Sequence, residues 1–217
     1  MSIARSAFAV AALILGVART GATQPSTTVE HSFVGVKKCG TCHGKELIGD
    51  QVAAWREDPH AHAFDRLRDE RSLAIAREKG LAAPPHESAE CLACHVTAHG
   101  VAPAWIAYEL DPADGVQCES CHGPGKDYRK KKVMSDTDKA AAAGLWDAGE
   151  DASICTACHN AASPTWDPKR FRRPDGTTSP FDFEVAKAMH RHPIPEDVKG
   201  RYLELEKERK EADDEEE

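Results

Sequence analysis

The chain has 217 residues, of which 41% are apolar and only 6% aromatic, and its formal net charge is −8. Charged residues make up 29% of the sequence, which is too polar for a membrane protein, and the acidity excludes a nucleic-acid binder with a generally basic surface. Because so few aromatic side chains are available for a core, and because the chain has eight cysteines and 11 histidines, we expect a cofactor to fill much of the interior.

The first 22 residues have the pattern of a secretory signal peptide. Arg5 supplies a positive charge, residues 6–18 are apolar, and Thr20 and Ala22 are small residues placed for cleavage after Ala22. An uncleaved membrane anchor is the alternative, but the apolar segment is shorter than the ~20 residues that a bilayer span needs. The sequence therefore predicts an exported protein with a signal peptide at residues 1–22 and no stable membrane span in the mature chain.

The next part of the chain predicts two helices after a polar entry. Residues 23–38 show no clear periodicity, and a first helix is predicted over residues 45–57. Asp58-Pro59 has the pattern of a helix N-cap followed by proline at the first helical position. The helix that it opens is predicted to continue to Lys79 and to end at Gly80.

The remaining predicted elements are shorter. Residues 81–90, 100–115 and 160–180 are predicted to be loops or irregular segments, because they contain prolines and glycines without apolar periodicity. A short helix is predicted over residues 183–191 and ends before two prolines. The tail at residues 201–217 is a charged helical pattern that becomes a run of acidic residues, which predicts a solvated, partly disordered end.

All eight cysteines fall into four copies of one motif, Cys-x-x-Cys-His, and none is left over. Two thiols on one turn can form thioethers with the vinyl groups of a haem, and the adjacent histidine is then the proximal ligand of the iron. Zinc sites would explain the cysteine pairs but not the histidine after every pair, and disulfides within the pairs would be strained. The motifs therefore predict four covalently bound c-type haems. The attachment cysteines are Cys39, Cys42, Cys91, Cys94, Cys118, Cys121, Cys155 and Cys158, and the proximal ligands are His43, His95, His122 and His159.

Histidines outside the motifs are candidates for the sixth, distal iron ligands. They are His31, His60, His62, His86, His99, His190 and His192. His60 and His190 are the favoured candidates, because each falls on the apolar face of its predicted helix. A six-coordinate iron suits electron transfer, whereas a five-coordinate iron has room for a small ligand.

Several segments, in the same order along the chain, resemble one family. They are residues 37–39 with Trp55 and His60-Ala61, residues 91–100, residues 115–125 and residues 187–192. The family that they resemble is the tetrahaem cytochrome c-554 family of ammonia-oxidising bacteria. The resemblance implies a mainly α, compact multihaem cytochrome c fold, with short helices and long loops packed around four covalent haems, over residues 23–200. It also implies a periplasmic carrier that takes electrons from hydroxylamine oxidoreductase.

The resemblance further implies how the irons are ligated, with three bis-histidine haems and one five-coordinate haem. By position, His60 would be the distal ligand of the haem on His122, and His190 that of the haem on His159. The haem on His95 would be the five-coordinate one.

The first haem, on His43, is where the sequence departs from the family. The family's distal histidine falls at the position of Lys132. The distal ligand of this haem is therefore Lys132, one of His31, His86 and His99, or an open position.

Two functions of different classes follow from these observations. The favoured one is an electron carrier without catalytic residues, with a multihaem oxidoreductase as donor and a cytochrome or a quinone-reducing complex as acceptor. The alternative is an enzyme that reduces nitric oxide or another small nitrogen species at a five-coordinate haem. The sequence shows no obvious proton-delivery residues around an open haem, and this weakens the enzyme hypothesis.

Overall fold

The computed structural model describes residues 31–167, 171–172 and 175–215. The predicted signal peptide at residues 1–22 lies outside these residues. Within them the helices are α1 (Val36–His43), α2 (Gln51–Glu57), α3 (Glu70–Lys79), α4 (Ala89–His95), α5 (Glu119–His122), α6 (Lys131–Met134), α7 (Thr137–Ala142), α8 (Ala152–Thr156), α9 (Phe183–Met189) and α10 (Tyr202–Glu215). Two short strands, β1 (Phe171–Arg172) and β2 (Thr178–Ser179), form an antiparallel pair.

The described residues are mainly α, with short helices joined by long irregular segments, as the sequence predicted. Fourteen apolar residues are buried in this part of the chain, and three of them, Phe64, Leu67 and Val96, pack together as one cluster. None of the helices in the described ranges has both the length and the apolar character that a membrane crossing requires.

The helix predicted over residues 45–57 is split in two. Gly49 and Asp50 have positive φ angles of 94° and 41°, which a continuous α-helix does not allow. The Asp50 side chain accepts a hydrogen bond from the Ala53 N–H at 3.1 Å and so caps α2.

The helix predicted from Pro59 to Lys79 begins only at Glu70, so this prediction was wrong in its first half. The Asp69 side chain accepts a hydrogen bond from the Ser72 N–H at 2.8 Å, which makes it the N-cap of α3. Residues before it form turns and a 3₁₀ segment, Asp65–Arg68. The predicted stop is correct, because Gly80 has the left-handed conformation that ends a helix.

The C-terminal tail packs against the N-terminal part of the chain. α10 continues to Glu215, and its Glu206 carboxylate contacts the Lys45 Nζ at 2.6 Å and the Lys131 Nζ at 2.8 Å. The first part of the tail is therefore helical, as the charge pattern predicted, and Glu206 docks it against Lys45 and Lys131.

Candidate haem-attachment sites

Each Cys-x-x-Cys-His motif lies on a short helix or at its end. The helices α1, α4 and α5 end at the motif histidines His43, His95 and His122. After α8, the His159 N–H donates to the Cys155 carbonyl at 3.0 Å, which continues the helical turn through the fourth motif. Since residues i, i+3 and i+4 share one face of a helix, both thiols and the imidazole of a motif face the same side. This arrangement suits one haem per motif.

Two of the motif imidazoles have their Nδ1 atoms occupied by acceptors. The His43 Nδ1 lies 3.2 Å from the Gln51 Oε1, and the His95 Nδ1 lies 2.6 Å from the Ala63 carbonyl oxygen. An imidazole that donates from Nδ1 has its lone pair on Nε2, which is the tautomer that a proximal ligand needs. These residues therefore fit a haem iron on the Nε2 side.

The protonation of the buried motif histidines also fits metal binding. Burial lowers the pKa of His122 to about 4, and it lowers the pKa of His43 below its usual value. His192 is close enough to both rings to contribute to these shifts. Since only the neutral imidazole binds a metal, the site favours the competent form at neutral pH.

The cysteines are free thiols, and no disulfide forms among the eight, all of which lie in the described ranges. The Cys39 thiol of the first motif shares a hydrogen bond with Cys118 of the third, which raises the pKa of Cys39 and lowers that of Cys118. In the same way, Cys158 of the fourth motif lowers the pKa of Cys94, in the second, to about 7. The first and third motifs are therefore neighbours, and so are the second and fourth.

The third and fourth motifs also lie side by side. Burial raises the pKa of Cys121 to about 11, and the nearby Cys155 thiol and Asp58 carboxylate contribute to the shift. The helices α5 and α8 that carry these motifs pack against each other. The four motifs thus form one continuous row in the order first, third, fourth and second.

The two favoured distal-ligand candidates, His60 and His190, lie together on one carboxylate. The His60 Nδ1 is 2.8 Å from the Asp58 Oδ1, the His190 Nδ1 contacts the Asp58 Oδ2, and the two ring centroids are 4.9 Å apart. Burial raises the pKa of the Asp58 carboxyl, but the hydrogen bonds from His190 and His60 outweigh it and hold the pKa below its usual range. Both imidazoles therefore keep the lone pair on Nε2 available for binding iron.

The ring contacts differ from the pairing that the resemblance implied. The ring centroid of His60 lies 5.9 Å from that of His159. The resemblance had instead paired His60 with the haem on His122. The ring beside His122 is that of His192, also at 5.9 Å. Sequence reasoning set His192 aside because it lies off the apolar face of a predicted helix, but α9 ends at Met189 and the following turn reaches the third motif.

The candidates for the distal ligand of the first haem lie in different places. Lys132 is exposed on α6, and its neighbour Lys131 pairs with Glu206. His31 donates to the Asp127 carboxylate at 2.8 Å.

The other two candidates, His86 and His99, belong to the surroundings of the second motif. They line a cavity of about 330 Å³ together with Leu92 and Val96, which flank Cys94 and His95 on α4 and just after it. Among the histidines outside the motifs, His192 contributes electrostatically to the lowered pKa of His43.

A buried carboxylate, which sequence reasoning did not single out, joins the first motif to the third. Glu119 is 0% exposed and accepts hydrogen bonds from the Val34, Gly35 and Gly125 N–H groups at 2.6–3.0 Å. Burial raises the pKa of its carboxyl, although these N–H groups favour the ionised form. Since Gly35 is the N-cap of α1, the third motif fixes the start of the helix that carries the first.

Comparisons with known proteins found three matches to this chain. Residues 38–123 match the family model described as cytochrome c554 and c-prime. Cytochrome c-554 of Nitrosomonas europaea is 29% identical, and the match spans 77% of this chain and 78% of that protein. The solved structure of reduced cytochrome c554 from the same organism matches with a TM-score of 0.46 at 26% identity, covering 73% of this chain and 78% of that one.

Proposed function

We propose that the chain, which is similar to cytochrome c-554, is an electron carrier with four covalently bound c-type haems. The observation that carries the proposal is the row of four Cys-x-x-Cys-His motifs, in which α5 and α8 pack against each other and thiols of different motifs shift each other's pKa. When bound, each haem would supply one-electron chemistry. A carrier needs attachment sites that lie next to one another, and this row provides them.

The proposed roles of the residues follow their positions. The eight motif cysteines attach the haems, and His43, His95, His122 and His159 are the proximal ligands. We assign His60 as the distal ligand opposite His159, because the two rings are neighbours, with their centroids 5.9 Å apart.

We assign His190 as the distal ligand opposite His122. The turn that follows His190 reaches this proximal ligand, since His192 contacts the His122 ring. Of the two, His190 is half-buried and donates its Nδ1 proton to a carboxylate, whereas His192 is exposed and bonds only to the backbone at His190. A carboxylate on Nδ1 is typical of metal-ligating histidines.

The proposed setting is the periplasm, with export directed by residues 1–22, and residues 23–200 as the haem-bearing unit. The donor would be a multihaem oxidoreductase such as hydroxylamine oxidoreductase, and the acceptor another cytochrome or a quinone-reducing complex. The resemblance of residues 33–195 to the family supports these assignments.

A double variant separates the carrier from a reductase. In Cys91→Ala/Cys94→Ala the second haem, the one assigned as five-coordinate, has no attachment site. A carrier should show no steady-state consumption of nitric oxide or hydroxylamine before or after this change, while the remaining haems are still reduced and reoxidised. Turnover by the unmodified protein that disappears in the double variant would show a reductase instead.

The distal assignments are tested by electron paramagnetic resonance of the oxidised protein. His60→Ala and His190→Ala should each convert one low-spin haem to high spin, because each removes one iron ligand. His192→Ala is the matched control and should leave every signal unchanged. A high-spin signal from His192→Ala, with none from His190→Ala, would move the assignment to His192.

A further inference from the structure

Asp58 occupies an unusual position between two of the haem-attachment sites. Its carboxylate is close enough to Cys121 of the third motif to affect that thiol, and it bonds to His60, which lies against His159 of the fourth motif. With 17% of its side chain exposed, Asp58 is largely shielded from water. It therefore lies where two haems would approach each other.

The backbone around Asp58 holds the carboxylate in place. The His60 N–H donates to the Asp58 Oδ1 at 2.9 Å, so the side chain closes a tight turn. The Val116 N–H donates to the His60 carbonyl at 3.0 Å, which fastens this turn to the segment that leads into the third motif. Gly115 permits the close approach, since a Cβ there would lie 2.8 Å from the His60 carbonyl oxygen. The carboxylate thus has little freedom to move away.

The two carboxylate oxygens serve two different imidazoles. Oδ1 accepts from the His60 Nδ1 at 2.8 Å, and Oδ2 accepts from the His190 Nδ1. His60 belongs to the turn that precedes α3, whereas His190 is the C-cap of α9, so the contact spans 132 positions of the chain. One side chain therefore orients both imidazoles.

We propose that Asp58 is a positioning residue shared by the distal ligands of two haems, holding His60 with one oxygen and His190 with the other. The inference rests on the proposed function, in which both histidines bind iron through Nε2. Asp58 itself would not touch either iron. It fixes the tautomer and the orientation of both ligands.

A carboxylate on Nδ1 makes an imidazole a stronger electron donor, and this favours ferric over ferrous iron. Losing such a partner typically changes metal affinity by 10–100-fold. If a tenfold change falls on the ferric form alone, the reduction potential rises by about 59 mV for a one-electron couple. Because Asp58 serves two ligands, its loss should raise two potentials together.

The test is a redox titration of the four-haem protein, followed by electron paramagnetic resonance so that individual low-spin haems are resolved. Asp58→Asn keeps the shape of the side chain but removes the charge and one acceptor oxygen. We expect two haems to rise in potential by about 59 mV or more, with haem content unchanged and the other two potentials unmoved. Asp58→Glu, which keeps the carboxylate, should produce a smaller shift.

Asp69→Asn is the matched control. Asp69 caps α3 as Asp58 closes its turn, but its side chain bonds to Ser72 at the surface, so no potential should change. If the Asp58→Asn variant does not incorporate its haems, the same redox titration is made on Asp58→Ser, whose hydroxyl still accepts a hydrogen bond in the turn. No shift, a shift of a single haem, or an equal shift of all four would overturn the inference.

Two further outcomes have distinct meanings. If His60→Ala and His190→Ala remain fully low-spin, the proposed ligand roles fail, and the inference fails with them. If both become high-spin while Asp58→Asn moves no potential, only the shared role of Asp58 is refuted.

Asp58, His60 and His190 also have the spacing of a metal triad. If the four-haem protein binds one Zn²⁺ tightly per chain and Asp58→Asn abolishes that binding, a separate metal site would replace the inference.

Discussion

Glu119 offers a demanding test of how the first and third motifs are held together. Glu119→Ala removes the carboxylate and leaves the N–H groups of Val34, Gly35 and Gly125 buried without an acceptor. Each orphaned buried donor costs about 1–3 kcal/mol, so the variant should lose at least about 3 kcal/mol of unfolding free energy. In a chain of this size that is a fall in Tm of about 6–12 °C.

The measurement is thermal unfolding of the haem-loaded protein, monitored by circular dichroism. Glu109→Ala is the matched control, since Glu109 pairs with Lys38 at 2.9 Å but both side chains are more than one-third exposed. Such a surface pair contributes about 0–1 kcal/mol, so the control should unfold close to the unmodified protein. Equal Tm values for the two variants would refute the reasoning about the buried carboxylate.

Three more predictions concern the surface and the first haem. Exposed basic side chains in residues 126–132 should steer the protein's encounter with a redox partner. The association rate measured by stopped-flow mixing should therefore fall as the salt concentration rises, because salt screens these charges. An association rate that does not depend on salt would contradict this prediction. Hydrogen bonds from Lys131 and Lys45 lower the pKa of Glu206 from its usual 4.5 to about 2. The stability that this contact contributes is therefore present above about pH 4.5 and lost as the pH falls towards about 2. Hydrogen exchange of α10 should rise over that window and should show no such rise in Glu206→Gln, which lacks the titrating group. Lys132→Ala should leave the electron paramagnetic resonance spectrum unchanged because Lys132 is exposed, whereas a new high-spin signal would identify Lys132 as an iron ligand.

The resemblance to a known family implied the fold class, whereas the positions of the attachment residues follow from the sequence because they depend on local spacing. Each Cys-x-x-Cys-His motif needs only one helical turn, and the four motifs lie on short helices or just after them. The stop at Gly80 was also predictable, since glycine readily adopts the left-handed conformation that ends a helix.

The distal side was not predictable in the same way. The apolar pattern after Asp58 indicated a helix, but the Asp58 side chain closes a tight turn, and the Asp69 side chain starts α3 later. The position of His60 beside His159 depends on contacts between distant segments, which no local periodicity encodes. For the same reason the burial of Glu119 and the docking of Glu206 could not be inferred from composition or charge runs.

The central claim is that this chain holds four covalent haems, and the most direct measurement is the haem content of the purified protein. A pyridine haemochrome assay, together with the intact mass, should give four covalently bound c-type haems per chain. Replacing the two cysteines of the fourth motif, Cys155→Ala/Cys158→Ala, should reduce the count by one. Bound zinc in place of haem, or a count that does not change in this variant, would contradict the account.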